Sequence, residues 1–429
     1  MRLVLVLATL LPSASLAQPS EAALANHYDL SVTLDPATGD IEVAGTLRVV
    51  ADERLPSLAF LLNRGVTIRS LGGTGIAGWS ATDSVQIGGT PLSSTQQIEV
   101  QFDPVLERGD SVHVAFDYGG RIDNTTIEIG RGIVSPAWTE LSVGSLWYPF
   151  SLQETLVTSR LRVTVPESSD VVGTGQIETV APGVWQIEAT RPLPARITLA
   201  LSDRWHTASR TFADGQRVEV RAAVPSPRVD LAMDTARRAY AAFEATFGPL
   251  QEESQTLRLL YPNDVPDLIY PGEAYAAGNL VAMADSDNET AWLGTIHHEV
   301  SHMWWNRGAP GTPDEFLSES LAEYSALLLG SQTFGTEWQA QRLASLRSRS
   351  DQIDASLLEL NGFPPERQGL LYARGPVALW WLREHIGAEA LDALLQEVHS
   401  QQTDSLQAFL DLLAEREGKA LSGAFRSRL

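Results

Sequence analysis

TIHHEVSHMWW, residues 295–305, packs three of the chain's eight histidines into six consecutive positions. Two of them, His298 and His302, bracket a glutamate as H-E-x-x-H. On a helix, residues four apart share a face, so both imidazoles can turn toward one metal ion. Glu299 follows the first of them and flanks that face. It can reach a water beside the metal without ligating it. Zinc held this way needs a third protein ligand and keeps its fourth position for water. A chain this poor in histidine would contain the motif by chance about once in a hundred times. The competing reading is a solvated helix that happens to carry histidines, and His297 fits that description.

The next segment supplies a third ligand candidate. GTPDEFLSESLAEYSALLLG, residues 311–330, reads as a helix with a Thr312 cap, Pro313 in the first turn, and Asp314 and Glu315 at the positive end. Leu317, Leu321, Tyr324 and Leu328 mark an apolar stripe, while Glu319 and Glu323 lie one turn apart on another face. An amphipathic surface helix could carry both glutamates with no further role.

Outward from these helices the chain has two textures. From about residue 27 to 205, short alternating stretches are separated by turn residues. HYDLSVTLDPATGDIEVAGTLRVVA reads as two strands joined at Asp35–Asp40, and QQIEVQFDP, DSVHVAFDY, SRLRVTVPE and ARITLALSD repeat the theme. Helical periodicity is nearly absent, and this half predicts a β-sandwich. TFADGQRVEVRAAVPSPRVD is a strand and a proline-bearing connector. RVDLAMDTARRAYAAFEATFG then has apolar residues three and four apart and stops at Gly248. SQTLRLLYP and GNLVAMADSD read as strands, and helix follows helix to Leu429. The boundary falls near residue 206, giving a β domain over 18–205 and a mostly helical α/β domain over 206–429. The GTG at 173–175 is a turn, since neither a helix nor Lys-Ser/Thr follows it.

Composition bounds the rest. A chain of 429 residues with 44% hydrophobic and 20% charged residues is ordinarily globular and long enough for two or three domains. At the N-terminus Arg2 precedes an apolar run from Leu3 to Leu11 and the small residues Ser15 and Ala17, the order of an export signal over 1–17. That run is too short for a bilayer anchor. No later stretch approaches a membrane span, so the expectation is a soluble exported protein, periplasmic or secreted. The absence of cysteine excludes disulfides and thiolate metal sites, leaving His, Asp and Glu as ligands. A net charge of −22 argues against nucleic acid, whose phosphates need clustered Lys and Arg.

FLSESLAEY, residues 316–324, resembles the W-L-N-E-G-x-A-x-Y segment of gluzincin metallopeptidases of the aminopeptidase N family. That segment holds a glutamate zinc ligand, and Glu319 takes its position. Sixteen residues separate His302 from Glu319, two fewer than is usual in the family, which implies a shorter loop. LLYARGPVALWWLREHIG resembles the family's Y-x-K-G segment, whose tyrosine hydrogen-bonds the tetrahedral intermediate. This implies that role for Tyr372, with Arg374 where lysine is usual. Without the resemblance, a tyrosine at a helix start packed beside Trp380 and Trp381 is the default reading. HYDLSVTLDPATGDIEVAGTL is similar to the opening strands of the family's N-terminal saddle, and LWYPF to its W-[FY]-P. The resemblance covers most of residues 27–390. It implies a β-sandwich or saddle followed by a thermolysin-like zinc peptidase domain. It further implies one zinc on His298, His302 and Glu319, Glu299 as the general base that takes a proton from the activated water, and peptide substrates. Glu323, one turn past a ligand, could accept the free ring N–H of His298 or be a plain surface glutamate.

The chain departs from the family in two places. The amine-binding G-A-M-E-N motif corresponds to YPGEAYAAGNLVAMA, which keeps Asn279 but has no glutamate immediately before it. Glu273 is the nearby carboxylate and would need a rearranged loop; these two are the candidate substrate-binding residues. The chain also ends at Leu429, without the family's large C-terminal helical domain, which implies a more open cleft. The expectation is an exported zinc metallopeptidase, aminopeptidase-like. The alternatives are an endopeptidase or narrow dipeptide-releasing enzyme, and a silent peptide-binding relative.

Overall fold

Alternation of apolar and polar residues builds the first half of the molecule. Asn26–Asp35 and Asp40–Val50 form a hairpin closed by the Asp35–Asp40 pair. Tyr28, Leu30, Val32 and Leu34 on one strand, and Ile41, Val43, Leu47 and Val49 on the other, are buried. The computed structural model of the chain describes residues 25–83, 85–87, 90–123, 132–151, 156–193, 197–250, 256–263, 265, 274–283 and 286–429. The expected leader over residues 1–17 and Glu273 lie outside the described residues.

The hairpin lies inside a seven-stranded sheet in the order Gln176–Ala181, Val184–Leu193, Val157–Thr164, Asn26–Asp35, Asp40–Val50, Ser111–Arg121, Val66–Gly72. A three-stranded sheet of Leu55–Asn63, Thr95–Leu106 and Ile76–Thr82 shares its core, with Phe60 meeting Phe116 edge-on at 5.8 Å. Apolar inner faces packed together make the sandwich. The LWYPF segment stitches this core. Trp147 and Tyr148 are fully buried, the Tyr28 hydroxyl donates to the Pro149 carbonyl at 2.5 Å, and the Tyr118 hydroxyl donates to Trp147 at 3.0 Å. A four-stranded sheet, Gly132–Ile133, Thr139–Leu141, Leu199–Ser202 and Asp170–Gly173, shares an apolar cluster with Leu260, Leu280 and Ala282 of the second half.

Those last residues belong to a five-stranded sheet in the order His206–Thr211, Arg217–Ala222, Thr256–Tyr261, Leu280–Ala282, Tyr275–Ala277. Arg217–Ala222 and Thr256–Tyr261 run parallel, and the helix Arg228–Phe247 makes the crossover that parallel strands require. That helix stops at Gly248, whose φ of 91° suits glycine. Where the sequence shows single strands, the structure pairs each into a hairpin, His206–Thr211 with Arg217–Ala222 and Tyr275–Ala277 with Leu280–Ala282. Among the described residues, seven further helices of eight or more residues complete the second half around one apolar core. Among the described residues no helix is long and apolar enough to cross a membrane.

Residues 311–330 differ from the sequence reading. Pro313–Leu317 is a separate 3-10 turn, which Thr312 caps by accepting from the Asp314 N–H at 3.2 Å. The α-helix begins at Glu319 and runs to Phe334. The acids of the turn answer to tertiary partners as well as to a helix dipole. Asp314 accepts from the Leu406 N–H at 2.8 Å, and Glu315 pairs with Arg367. Nor is Glu319–Phe334 an amphipathic surface helix, since every residue from Glu319 to Gly330 is buried. Polar side chains survive there because each has a partner. Ser325, for example, accepts from Trp305 Nε1 at 2.8 Å and donates to the Leu321 carbonyl at 2.7 Å.

Candidate active site

The helix Glu289–Ser301 starts at Asn288, whose side chain accepts from the Ala291 N–H at 3.1 Å. Its last turn carries His298 and Glu299, and His302 follows as the residue just past its end. All three are buried, and both histidines face Glu319 on the neighbouring helix. His297 is a correction to the sequence reading, being 1% exposed with its ring 6.2 Å from that of Phe334. The helix is covered on that side too, and burial pushes the His297 imidazole down to about 4, so it stays neutral.

The donor set fits zinc. Glu319 Oε2 lies 3.4 Å from His298 Nε2 and 3.6 Å from His302 Nε2. Bonds of zinc to nitrogen and oxygen arranged tetrahedrally space their donors about 3.3 Å apart. Among the described residues, these three form the one group of His, Asp or Glu side chains close enough together to hold a metal ion. Both imidazoles are also turned correctly. His298 Nδ1 faces Glu323 Oε2 at 3.3 Å, and His302 Nδ1 faces the Trp305 carbonyl at 2.8 Å. A ring N–H donated to these acceptors leaves each Nε2 lone pair for the metal. The electrostatics agree. Burial alone would lower the pKa of His298, but hydrogen bonds to Glu319 and Glu323 and the charge of Glu299 raise it to about 10. The surroundings favour a positive charge at this point.

Tyr372 enters from a single π-helical turn, Leu370–Arg374, a local widening that re-aims side chains. Its hydroxyl donates to Glu319 Oε2 at 2.5 Å, and its ring stacks on the His298 imidazole at 5.5 Å and 16°. Burial, and then the charge of Glu319, push the phenol well above its ordinary value, so it remains a donor. Two cross-links flank this contact. Arg367 donates from Nε to Glu315 Oε2 at 2.9 Å and from Nη2 to Glu315 Oε1. Ser320 Oγ donates to the Leu371 carbonyl at 2.8 Å. A Cβ at position 375 would overlap the Ser320 hydroxyl, so Gly375 is what lets the turn approach. Arg374, at the family's lysine position, instead donates to the carbonyls of Ser350 (3.1 Å), Ile353 and Ala355.

Sequence reasoning missed Ser320, Arg367 and Arg342, the last of which donates to Glu323 Oε1 at 2.5 Å. No local pattern marks them, because each acts through a partner distant in sequence. Asn279 is 3% exposed, and its amide joins two parts of the molecule: Nδ2 donates to Thr256 at 2.9 Å, and Oδ1 accepts from the Gly175 N–H at 3.3 Å. Nearby, the Tyr275 hydroxyl and Trp138 Nε1 both donate to the buried carboxylate of Glu140, at 2.9 and 3.0 Å. Asn279→Ala leaves the buried groups it serves without their partner, which costs about 1–3 kcal/mol. The expected outcome is a lowered Tm in thermal unfolding with an unchanged KM; a raised KM at unchanged Tm would assign Asn279 to substrate binding instead.

No family model and no curated protein matches the sequence. Solved structures do match. An M1 zinc metallopeptidase from Deinococcus radiodurans is similar at a TM-score of 0.66 and 20% identity, over 94% of this chain and 92% of that one. A mutant of that enzyme bound to a Tyr-Ser-Ala substrate gives 0.66 at 20% identity, over 94% and 93%. Leukotriene A4 hydrolase from yeast gives 0.70 at 16% identity, over 93% of this chain and 66% of that one. From one end of the described chain to the other, the protein has the fold of the two-domain M1 zinc metallopeptidases.

Proposed function

We propose that the chain is an exported zinc metallopeptidase that removes residues from the amino end of peptides. One observation carries this reading: the Tyr372 hydroxyl and both histidine Nε2 atoms converge on Glu319 Oε2, at 2.5, 3.4 and 3.6 Å. A zinc ion bound by His298, His302 and Glu319 would supply Lewis acidity, activating a water and polarising the scissile carbonyl. Glu299 is the general base. Its Oε2 is 4.0 Å from His302 Nε2, beside the ligands without being one of them. It accepts the proton of the attacking water and passes it to the leaving amine. The Tyr372 hydroxyl donates a hydrogen bond to the oxygen on which negative charge develops. Glu323 holds the His298 ring by its Nδ1–H.

The amino-peptidase half of the proposal draws on relatives that share the fold. One is bound to a Tyr-Ser-Ala substrate, and a two-domain M1 zinc metallopeptidase mutant is bound to free L-arginine. Export draws on the leader pattern of residues 1–17. A second reading, an endopeptidase, is favoured by the missing glutamate before Asn279 and by the structural use of the Asn279 amide. A silent binding protein would have no need of Glu299. The discriminating experiment compares a short peptide with its N-acetylated form. Cleavage of the free peptide alone supports the proposal, cleavage of both supports the endopeptidase, and cleavage of neither by zinc-loaded protein sinks enzymatic hydrolysis.

The metal itself gives a prediction that needs no substrate. Elemental analysis of protein purified with zinc present should find one zinc per chain, removable by chelators. His302→Ala should lose that stoichiometry. A wild-type chain without stoichiometric divalent metal would overturn the assignment of all three ligands.

A further inference from the structure

We infer that Arg342 is a positioning residue that sets how tightly the site holds its metal, acting through Glu323 on His298. The inference rests on the zinc reading above and adds a residue outside the ligand set and its direct partners. Glu323 divides its carboxylate between two contacts. Oε2 lies 3.3 Å from His298 Nδ1, and Oε1 accepts from Arg342 Nη2 at 2.5 Å. The Glu323 side chain is 11% exposed and that of Arg342 39%. A line of contacts therefore runs from the outer face of the helix Thr336–Ser350 to a buried imidazole.

A glutamate side chain has three rotatable bonds, and a single contact with His298 leaves the carboxylate free to rotate about it. Tying the second oxygen to a guanidinium fixes the plane of the group, so that Oε2 stays aligned with the ring N–H. An imidazole whose Nδ1–H is held by a carboxylate is oriented for its metal and is a more basic ligand at Nε2. Removing such an outer partner typically weakens metal binding about 10–100-fold. Arg342 acts one contact further out, which places its effect near the lower end, about tenfold. Because Arg342 is partly exposed, its replacement does not open the core.

The test measures zinc affinity by competition with a chelator, using the full chain and zinc alone. Arg342→Met should weaken zinc binding about tenfold, while the metal-free protein keeps the wild-type circular dichroism spectrum. Arg342→Lys, which keeps one donor and the charge, should recover most of the affinity. In a Glu323→Gln background, Arg342→Met should have little further effect, because the route to the metal is already cut. An unchanged affinity in Arg342→Met overturns the inference, as does an equal loss in both backgrounds. Wild-type protein that binds zinc while Arg342→Met is unresponsive overturns this inference alone. A wild-type chain that binds no zinc overturns the functional reading together with it.

Discussion

Glu299→Gln should retain zinc and lose about two to four powers of ten in kcat, the usual contribution of a positioned general base. The substitution is nearly isosteric at a site only 6% exposed, so packing around the helix Glu289–Ser301 is preserved. What changes is one property: an amide oxygen cannot hold the proton that the attacking water must give up. Metal content should not change, because Glu299 stands 4.0 Å from His302 Nε2 and outside the group formed by His298, His302 and Glu319. Glu319→Ala is the complementary variant, expected to weaken metal binding itself. Elemental analysis and steady-state turnover on the same preparations separate the two. If Glu299→Gln loses its zinc while Glu319→Ala keeps both zinc and activity, the base and the third ligand have been exchanged.

The parts of this site that could be read from sequence are those fixed by local geometry. His298 and His302 share a helical face because of their spacing, and no distant contact is needed to know it. Thr312 is a cap in the structure as its residue type predicts, although it caps a 3-10 turn rather than a long helix. The strands from Asn26 to Val50 alternate in burial as they alternate in sequence. What could not be read is burial that depends on remote partners. The helix Glu319–Phe334 carries Glu319, Ser320, Glu323 and Ser325, a polar content that suggests a wet face. That face is dry because Arg342 reaches Glu323 across 19 residues of chain and the Leu371 carbonyl meets Ser320 across 51. His297 is buried for the same reason, with Phe334 packed against the side of the helix that its residue type suggests is solvated. The π-helical turn at Tyr372 belongs to this group as well. Its sequence is ordinary helix, and its close approach to the Glu319 helix rests on Gly375, the Ser320 hydroxyl and the Arg367–Glu315 pair.

Tyr372→Phe should lower kcat by about two to three powers of ten, the range measured when one donor to a developing oxyanion is removed. Phenylalanine can occupy the same place against the His298 imidazole, where the tyrosine ring now stacks at 5.5 Å, so fold and zinc content should be unchanged. The loss should fall on kcat more than on KM, because the hydrogen bond strengthens as charge builds on the substrate oxygen. The geometry offers one competing role. The hydroxyl now donates to Glu319 Oε2 at 2.5 Å, so it could serve chiefly to orient that ligand. The two roles leave different traces. A donor to the oxyanion gives a large fall in kcat at constant zinc affinity, whereas a ligand-orienting phenol gives weaker zinc binding with kcat largely restored at saturating metal. A Phe variant normal in both would make Tyr372 a packing residue, and its stacking on His298 would then be the whole of its contribution.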